Sequence, residues 1–399
     1  MRKGVAITGM GIVSSIGMSV EENLSSLCNG RAGVSRIAHI ATKLRDKVFV
    51  GEIKHTNAAL QQMLGLPQGN NMTRTGMLGL LAAKEAVQSA KLEHTEDIKT
   101  GLISSTSVGG MDMTEQYFYA YATNPALYKY ITSHDAGVST QQIADYLGIK
   151  GLVTTVSTAC SSAANAIMLG ARLIQSGRLD RVIVGGTDSL SKFTLNGFNT
   201  LMILTDDYCQ PFDQNRKGLN LGEAAAYLVL ESQALVEREQ KKVWAYLAGY
   251  GNANDAFHQT ASSENGEGAY LAMQKAFDIA GIAPQSIDYV NVHGTATPNN
   301  DLSEGRAMLR IFETKVPMFS STKAFTGHTL AAAAAIEAVY SVLALNYNWV
   351  FPNLNFETPM EEFELIPQTQ LVKKEIKHVL SNSFGFGGNC STLIFSEAP

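Results

Sequence analysis

Short apolar segments alternate along the whole chain with longer segments rich in small residues, and this alternation constrains the fold most. The apolar segments predict strands at Val5–Thr8, Gly101–Ser104, Leu152–Val156, Val182–Val184, Trp244–Leu247, Tyr289–Val292, Val316–Ser320, Val379–Ser381 and Leu393–Phe395. The longer segments predict helices at Arg74–Ala90, Ser161–Ser176, Gly268–Ala280 and Leu330–Asn346. Alternating strands and helices indicate an α/β protein, and nearly continuous apolar strands indicate a sheet covered on both faces.

The two halves of the chain follow a similar plan. In the first half, a predicted strand leads through a Ser/Thr/Ala turn to Cys160, which opens a long helix. In the second, a predicted strand leads to His328, which precedes an alanine-rich helix. A length of 399 residues favours two packed halves over one small core. We expect a pseudo-duplicated fold that divides near Glu237–Lys242 into residues 1–240 and 241–399.

Composition narrows the class of protein. The chain is 45% hydrophobic and 17% charged with a net charge of −5, which indicates a globular protein and argues against a general nucleic-acid binder. The four cysteines show no CxxC pair, so we expect free thiols in a cytosolic protein, with neither a disulfide framework nor a zinc site. They are Cys28, Cys160, Cys209 and Cys390.

Glycine-rich segments at the two ends of the chain do not fit nucleotide-binding motifs. The first segment, TGMGIVSSIG, has its third glycine at Gly17 rather than at the position that a dinucleotide fingerprint requires. The last, SNSFGFGGNCS, lacks the GKS or GKT of a phosphate-binding loop. The short, glycine-interrupted run VAITGMGIV also reads better as a buried strand entering a glycine turn than as a signal peptide, and we expect no membrane span.

Cys160 lies in STACSSAANAIMLGARL, at the predicted start of a helix and among small neighbours. The partial positive charge of a helix N-terminus lowers a thiol pKa, and free backbone N–H groups there can hold an oxyanion. The pattern therefore fits a catalytic nucleophile. A buried structural cysteine fits the same local pattern equally well.

Two histidines follow predicted strands in the second half. His293 lies in NVHGTATPNND, a loop well suited to catalysis, although a hydrogen-bonded loop histidine would look the same. His328 lies in STKAFTGHTLAAAAAIE, after Lys323 and before Glu337. A carboxylate on an alanine-rich inward face is costly unless it is paired, and Lys323 is the nearby cation; two ordinary surface charges are the alternative.

The segment FGFGG near the C-terminal end carries two phenylalanines in a glycine-rich turn. Such a turn suits a gate over an apolar tunnel, whereas a tight turn with buried rings is the plain alternative.

Taken together and in this order, these motifs resemble the β-ketoacyl-acyl-carrier-protein synthases of the thiolase superfamily, in particular the type II elongating condensing enzymes. The resemblance extends over nearly the whole chain, through VAITGMGIVSSIG, STACSS, VGGTDS, PFDQNRKGLNLGEAAA, NDAFHQT, HGTATPNNDLSE, STKAFTGH and NSFGFGG. It implies a thiolase-type five-layered αβαβα sandwich, a homodimer, and a decarboxylative condensation of malonyl-acyl carrier protein with an acyl group held on the nucleophile. It implies no intrinsic cofactor, since phosphopantetheine is delivered on the acyl carrier protein.

The resemblance also assigns roles to single residues. It makes Cys160 the acylated nucleophile, His293 and His328 the pair that binds the malonyl thioester carbonyl, and Lys323 with Glu337 an ion pair that orders the surroundings of the second histidine. Further residues take supporting roles: Phe386 as the gate whose N–H joins that of Cys160 in the oxyanion hole, Thr260, Thr295 and Thr297 along the phosphopantetheine tunnel, and Asp301 and Glu304 in structural positions.

Other residues leave alternatives open. Asp112 and Thr114 lie either on the floor of an acyl pocket or at the surface. An acidic carrier needs a basic docking patch, for which Arg74, Arg216 and Lys217 are candidates against ordinary surface charge. Three further readings compete with a homodimeric synthase: a non-catalytic, chain-length-factor-like subunit, a heterodimer with such a subunit, and a thiolase. The thiolase alternative rests on Cys390, which follows Asn389 where the family usually has threonine and asparagine.

Overall fold

The computed structural model describes residues 4–92, 98–313 and 315–398. The strands are β1 (Val5–Ser14), β2 (Ser35–Arg36), β3 (Phe49–Gly51), β4 (Thr100–Ser105), β5 (Val153–Val156), β6 (Arg181–Asp188), β7 (Leu221–Gly222), β8 (Ala224–Glu231), β9 (Ala245–Asn254), β10 (Tyr289–Asn291), β11 (Met318–Ser320), β12 (Trp349–Val350), β13 (Val372–Lys373), β14 (His378–Gly385) and β15 (Asn389–Ser396). The helices are α1 (Val20–Cys28), α2 (Asn57–Leu64), α3 (Arg74–Ser89), α4 (Met111–Tyr117), α5 (Tyr128–Ile131), α6 (Ala136–Leu147), α7 (Ser162–Gln175), α8 (Lys192–Thr200), α9 (Gln233–Glu239), α10 (Glu267–Ala280), α11 (Pro298–Phe312), α12 (Lys323–Thr326) and α13 (Ala333–Tyr347). Short 3-10 segments lie at Pro125–Leu127, Thr132–His134, Pro284–Ser286, Leu330–Ala332 and Phe386–Gly388.

Ten strands form one continuous sheet with the order β11-β10-β14-β15-β9-β1-β8-β6-β4-β5. The five strands on each side of the β9–β1 contact repeat one topology. In each set, the first strand along the chain lies innermost, the third lies at the outer edge, and the fifth pairs with the first. The predicted duplication is therefore confirmed in the strand order, although the two halves share little sequence.

Helices cover both faces of each half. The central helices α7 and α13 share one hydrophobic core with residues from both sets of strands. Outside them, α3 and α6 pack on the first set, and α10 and α11 on the second. These are the five layers of the predicted αβαβα sandwich, and they bring the ends of β5, β10, β11 and β14 together around α7 and α13.

The stretch Leu330–Tyr347, which includes α13, is long and apolar enough to span a membrane. In the fold, however, 89% of this stretch is buried inside the protein. Its hydrophobicity is accounted for by packing between the two halves.

All nine predicted strands and all four predicted helices are present, with boundaries that shift by a few residues. Strand β9 continues furthest beyond its predicted end, to Asn254, and β1 continues to Ser14 where the sequence suggested a glycine turn. A Cβ at Gly9 would lie 2.4 Å from the carbonyl oxygen of Ala86, and one at Gly11 would lie 2.1 Å from that of Ala82. These glycines let α3 approach the strand closely. Strand β8 was not predicted, because its first residues are alanines, which are not typical of strands.

Candidate active site

Cys160 lies in a tight turn between β5 and α7. The preceding residue, Ala159, has a φ of +53°, a conformation that side chains with a Cβ rarely adopt. The Oγ of Ser162 accepts the Thr158 N–H at 2.8 Å and so fixes the turn. Cys160 is only 6% exposed, and helix α7 begins two residues later, at Ser162. The nucleophile candidate is therefore placed at a helix N-terminus, as expected, in a strained and well-fixed turn.

The thiol of Cys160 differs from the expectation in its acidity. Burial raises its pKa to about 12, an effect that outweighs the neighbouring charge of Lys323 and the backbone N–H groups of Phe386 and Cys160, which favour the thiolate. The helix N-terminus alone therefore does not lower the pKa of this thiol in the folded protein. The same two N–H groups lie beside the sulfur, so two backbone donors are available next to the atom that would carry an acyl group.

His293 and His328 lie side by side, with ring centroids 5.4 Å apart and planes at 88°. Both rings are almost fully buried. Burial lowers the pKa of each well below its usual value, and the charge of Lys323 lowers both further. Both imidazoles are therefore neutral near pH 7, and each has one N–H to donate.

The hydrogen bonds of the two rings determine which nitrogen carries that proton. Nζ of Lys323 lies 3.3 Å from Nδ1 of His293, and the backbone N–H of Leu330 donates to Nδ1 of His328 at 3.2 Å. An ammonium group and a backbone N–H are donors only, so both Nδ1 atoms accept. The proton of each ring is consequently on Nε2, and both rings are hydrogen-bond donors there.

Lys323 and Glu337 form the buried ion pair that the sequence predicts, with Nζ 2.5 Å from Oε1 and both side chains at most 3% exposed. Burial raises the pKa of Glu337, and Lys323 opposes this effect. The hydrogen-bond contact of Lys323 is with His293, the first histidine, and its charge also acts on the second, His328.

Acidic side chains fix the loop after β10. Glu304 accepts the N–H groups of His293 and Gly294, each at 2.8 Å. Asp301 accepts those of Phe212 and Ala296. These contacts support the structural roles expected for both carboxylates. Among the described residues, no cluster of three His, Cys, Asp or Glu side chains could hold a metal ion.

A cavity of about 290 Å³ leads from the surface to the candidate nucleophile. Cys160, both histidines and Phe386 line its inner end. Thr295 and Thr297 line its wall, with their hydroxyl oxygens 2.9 Å apart, and the exposed Thr260 lies toward its mouth. The structure therefore brings all three threonines to the entrance of the same cavity as Cys160.

A second cavity of about 420 Å³ lies on the other side of Phe386 and has an almost entirely apolar lining. Cys160 and Phe386 line both cavities, and the Phe386 ring stacks on Phe198 with centroids 5.9 Å apart. Phe386 thus stands between an entrance cavity that carries hydroxyl groups and an apolar chamber, which opens to the surface of the single chain beside the exposed Phe193 and Leu201.

Sequence reasoning missed the residues of the apolar chamber that come from α8 and its C-terminal cap, namely Phe193, Thr194, Gly197, Phe198 and Leu201. The phenylalanines spaced along SKFTLNGFNTLM were the available signal. It also missed Asp188, although this residue lies in the VGGTDS segment. Asp188 is fully buried and accepts hydrogen bonds from Ser107 and Ala331, so it ties one chamber wall to the segment after His328.

The three candidate docking residues differ in how deeply their side chains are buried. Arg74 is not a surface group, because its guanidinium is buried against Glu223, with Nη2 2.6 Å from Oε1 and Nε 2.9 Å from Oε2. Arg74 is therefore withdrawn as a docking residue. Arg216 is half-buried and donates to the carbonyl oxygen of Pro298 at the cavity mouth, and its neighbour Lys217 is exposed.

Asp112 and Thr114 make local contacts. Asp112 accepts the N–H of Arg74 at the start of α3, at 2.9 Å, and the hydroxyl of Thr114 lies 2.9 Å from Nδ1 of His134. In the single chain, neither side chain lines either cavity.

Cys390 is buried in β15, opposite Phe384, and lines the entrance cavity. Burial raises the pKa of its thiol strongly, and the carboxylates of Asp255 and Glu304 raise it further. Cys390 lies within strand β15 and not in a turn, so the site gives no support to the thiolase alternative. The four cysteines of the chain are free.

Comparison with known proteins agrees with this geometry. A family model for the β-ketoacyl synthase N-terminal domain matches residues 2–235, and one for the C-terminal domain matches residues 244–357. Among curated relatives, 3-oxoacyl-[acyl-carrier-protein] synthase 2 of Staphylococcus aureus is 33% identical, covering 99% of this chain and 98% of the relative. The protein of the same name from Vibrio cholerae is 30% identical, covering 99% of both.

Solved structures show the same fold. The ishigamide ketosynthase/chain length factor superposes with a TM-score of 0.92 at 29% identity, covering 100% of both chains. A ketosynthase in complex with its chain length factor from Xenorhabdus doucetiae has a TM-score of 0.86 at 32% identity, covering 99% of this chain and 98% of that one. A type II polyketide ketosynthase in complex with its acyl-carrier protein has a TM-score of 0.89 at 25% identity, covering 99% and 100%. The chain belongs to the β-ketoacyl synthase family.

Proposed function

We propose that the chain is an elongating β-ketoacyl-acyl-carrier-protein synthase that joins an acyl group on Cys160 to a two-carbon unit from malonyl-acyl carrier protein. One observation carries this proposal: both histidines beside Cys160 are held as neutral Nε2–H donors. Two such donors can bind one thioester oxygen while negative charge develops on it.

The first half-reaction loads the enzyme. The sulfur of Cys160 attacks the thioester carbonyl of an acyl-acyl carrier protein, and the N–H groups of Cys160 and Phe386 stabilise the oxyanion. The carbonyl then re-forms, the phosphopantetheine thiolate leaves, and it takes up the proton that Cys160 loses. Because burial favours the neutral thiol, the N–H groups and Lys323 must supply the stabilisation of the anion.

The second half-reaction forms the carbon–carbon bond. The malonyl thioester oxygen accepts hydrogen bonds from His293 and His328 while carbon dioxide leaves, and the resulting enolate is stabilised. Its carbon attacks the thioester on Cys160, the Cys160 thiolate leaves, and a 3-oxoacyl-acyl carrier protein is released. Lys323 acts by fixing the proton of His293 on Nε2.

Two features support the division of the substrate between the cavities. The entrance cavity carries hydroxyl groups that suit the polar phosphopantetheine arm, namely Thr260, Thr295 and Thr297. The chamber behind Phe386 is apolar and suits an acyl chain. Phe386 is therefore proposed as the gate, and Arg216 with Lys217 as part of the carrier-protein docking patch.

We further propose that the chain works as a dimer, either with a second copy or with a related subunit. Strand β5 lies at the edge of the sheet, and an edge strand is ready to pair with another chain. Relatives of this chain are known as complexes of a ketosynthase with a chain length factor. Native mass spectrometry of the purified chain, alone and with candidate partners, distinguishes the two assemblies.

The proposed halves are residues 1–240 and 241–399, and the repeated strand order on either side of α9 supports this division. A non-catalytic, chain-length-factor-like subunit is the alternative function. It is disfavoured because Cys160 and both histidines stand together in one cavity.

Intact mass spectrometry after incubation with acyl-acyl carrier proteins tests the proposal. An acyl adduct on the wild type that is absent in Cys160→Ala supports it. A folded protein that takes no acyl group from any tested donor would favour the partner-subunit alternative.

A further inference from the structure

A cluster of amide and hydroxyl groups lies behind the nucleophile, outside the machinery described above. Its centre is Oδ1 of Asn389, which accepts hydrogen bonds from Oγ of Ser161 at 2.7 Å, Nδ2 of Asn165 at 2.9 Å and Nδ2 of Asn252 at 2.9 Å. The donors come from α7, from its N-terminal turn and from β9. The side-chain carbonyl oxygen of this first residue of β15 thus joins the start of α7 to β9, and the three segments are far apart in the sequence.

One of these contacts reaches the nucleophile turn directly. Ser161 follows Cys160 in the chain and is fully buried, and its single hydroxyl proton is shared between Oδ1 of Asn389 and the carbonyl oxygen of Thr158, 2.8 Å away. Nδ2 of Asn165 binds Oγ1 of Thr158 as well, at 2.9 Å. Asn389 therefore contacts the residue after Cys160 directly, and it is linked to Thr158, on the other side of Cys160, through Asn165 and Ser161.

Asn389 is also the first residue after the glycine-rich gate loop. In the β14–β15 hairpin it pairs with Gly385, the residue before Phe386. Between these two anchors, Gly387 and Gly388 adopt φ values of +80° and +79°, where glycine has little conformational preference of its own. The position of the Phe386 N–H consequently depends on how the ends of the loop are held.

A Cβ on Gly385 would lie 2.7 Å from the carbonyl oxygen of Thr158 and 3.1 Å from the nitrogen of Cys160. The gate loop and the nucleophile turn are therefore in direct contact at one anchor, and Asn389 links them at the other.

We infer that Asn389 is a positioning residue that aligns the two N–H donors of the oxyanion hole, those of Phe386 and Cys160, across the gap between the loop and the turn. This inference rests on the proposed function and adds a role at a position where this chain departs from the threonine usual in the family. Small losses of alignment at a reacting centre reduce rates strongly. The histidine pair lies on other loops and makes no contact with Asn389, so its own reaction is independent of this residue.

The two half-reactions provide the test. In the full-length chain, the rate of Cys160 acylation is measured with an acyl-acyl carrier protein, and the rate of malonyl-acyl carrier protein decarboxylation is measured without an acyl donor. Asn389→Leu should slow acylation about ten- to a hundredfold and leave decarboxylation unchanged. The matched control is Ser391→Ala, since Oγ of Ser391 lies in the same cluster, 3.0 Å from Nδ2 of Asn252, without touching the nucleophile turn. It should leave both rates unchanged.

A second variant covers the case in which Asn389→Leu does not fold. Ser161→Ala removes the donor nearest Cys160 and should slow acylation in the same selective way. In the double variant the two effects should be less than additive, because they break one shared contact. Equal acylation in the wild type and both variants, or a parallel loss of both half-reactions, overturns the inference. Absence of acylation in the wild type itself contradicts the proposed function as well.

Discussion

Nζ of Lys323 lies 3.3 Å from Nδ1 of His293 and 2.5 Å from Oε1 of Glu337, so one buried ammonium group links a carboxylate to one of the two histidines of the site. The contact gives Lys323 two effects. It keeps the His293 proton on Nε2, and its charge adds to the effect of burial, which lowers the pKa of both imidazoles most.

Replacement of Lys323 by methionine should therefore reduce activity and stability together. His293 loses the contact that selects its tautomer, and the condensation rate should fall at least about a hundredfold. Glu337 is left buried without its partner, which should cost about 3 to 5 kcal/mol in the free energy of unfolding. Steady-state kinetics and urea unfolding measure the two effects separately.

The double variant Lys323→Met with Glu337→Gln is the matched control. It removes the uncompensated charge, so most of the stability should return while the activity stays low. Recovery of activity in this variant would show that Lys323 acts only through the fold.

Gly197 should control the length of the acyl chain. It lines the apolar chamber from α8, and a Cβ built on it meets nothing within 4 Å. Gly197→Leu should therefore fit, shorten the longest acyl chain that Cys160 accepts, and stabilise the helix by up to about 1 kcal/mol. Gly197→Ala is the control, since one methyl group should leave chain length nearly unchanged. Acylation measured across a series of chain lengths decides whether the chamber holds the acyl group.

Glu304 should make stability depend on pH. Burial raises its pKa from 4.5 to about 7, so the folded protein keeps a proton that the unfolded chain has lost between these values. Its contribution is full below pH 4.5 and is lost as the pH rises through 7, by about 3 kcal/mol at most. The difference in unfolding free energy between the wild type and Glu304→Gln should therefore fall from about pH 5 to about pH 8. A difference that is constant or rises would exclude this titration.

Arg216 should contribute to carrier-protein docking. Its side chain donates to the carbonyl oxygen of Pro298 at the mouth of the entrance cavity. Arg216→Glu should raise KM for the acyl-acyl carrier protein severalfold at low salt, with a smaller effect at high salt because exposed charges are screened. Lys377→Glu is the control, because Lys377 precedes β14 at the end opposite Phe384. Unchanged KM would remove Arg216 from the docking patch.

The features that the sequence predicted correctly are those that depend on a local residue pattern. Strand and helix periodicity placed the main elements, and the motifs around Cys160, His293 and His328 placed the reacting groups. The inward position of Glu337 followed from the cost of an unpaired buried carboxylate, and it led to Lys323.

The rest depended on contacts between distant segments. Arg74 looked like a surface charge because Glu223, which binds it, lies on the other side of α7 in the sequence. The raised pKa of Cys160 depends on its burial in the folded chain, and the inferred role of Asn389 depends on donors from α7 and β9. A single sequence carries no direct signal for such contacts.

The central claim is that Cys160 and the histidine pair perform successive half-reactions on one acyl group. Single-turnover mass spectrometry tests it most directly: the enzyme is acylated, freed of donor, and mixed with malonyl-acyl carrier protein. The account predicts that the acyl mass leaves Cys160 and appears on the carrier protein extended by two carbons and a ketone. In His293→Ala and His328→Ala, the acyl group should remain on Cys160. Transfer without extension in the wild type, or undiminished extension in both histidine variants, would contradict the account.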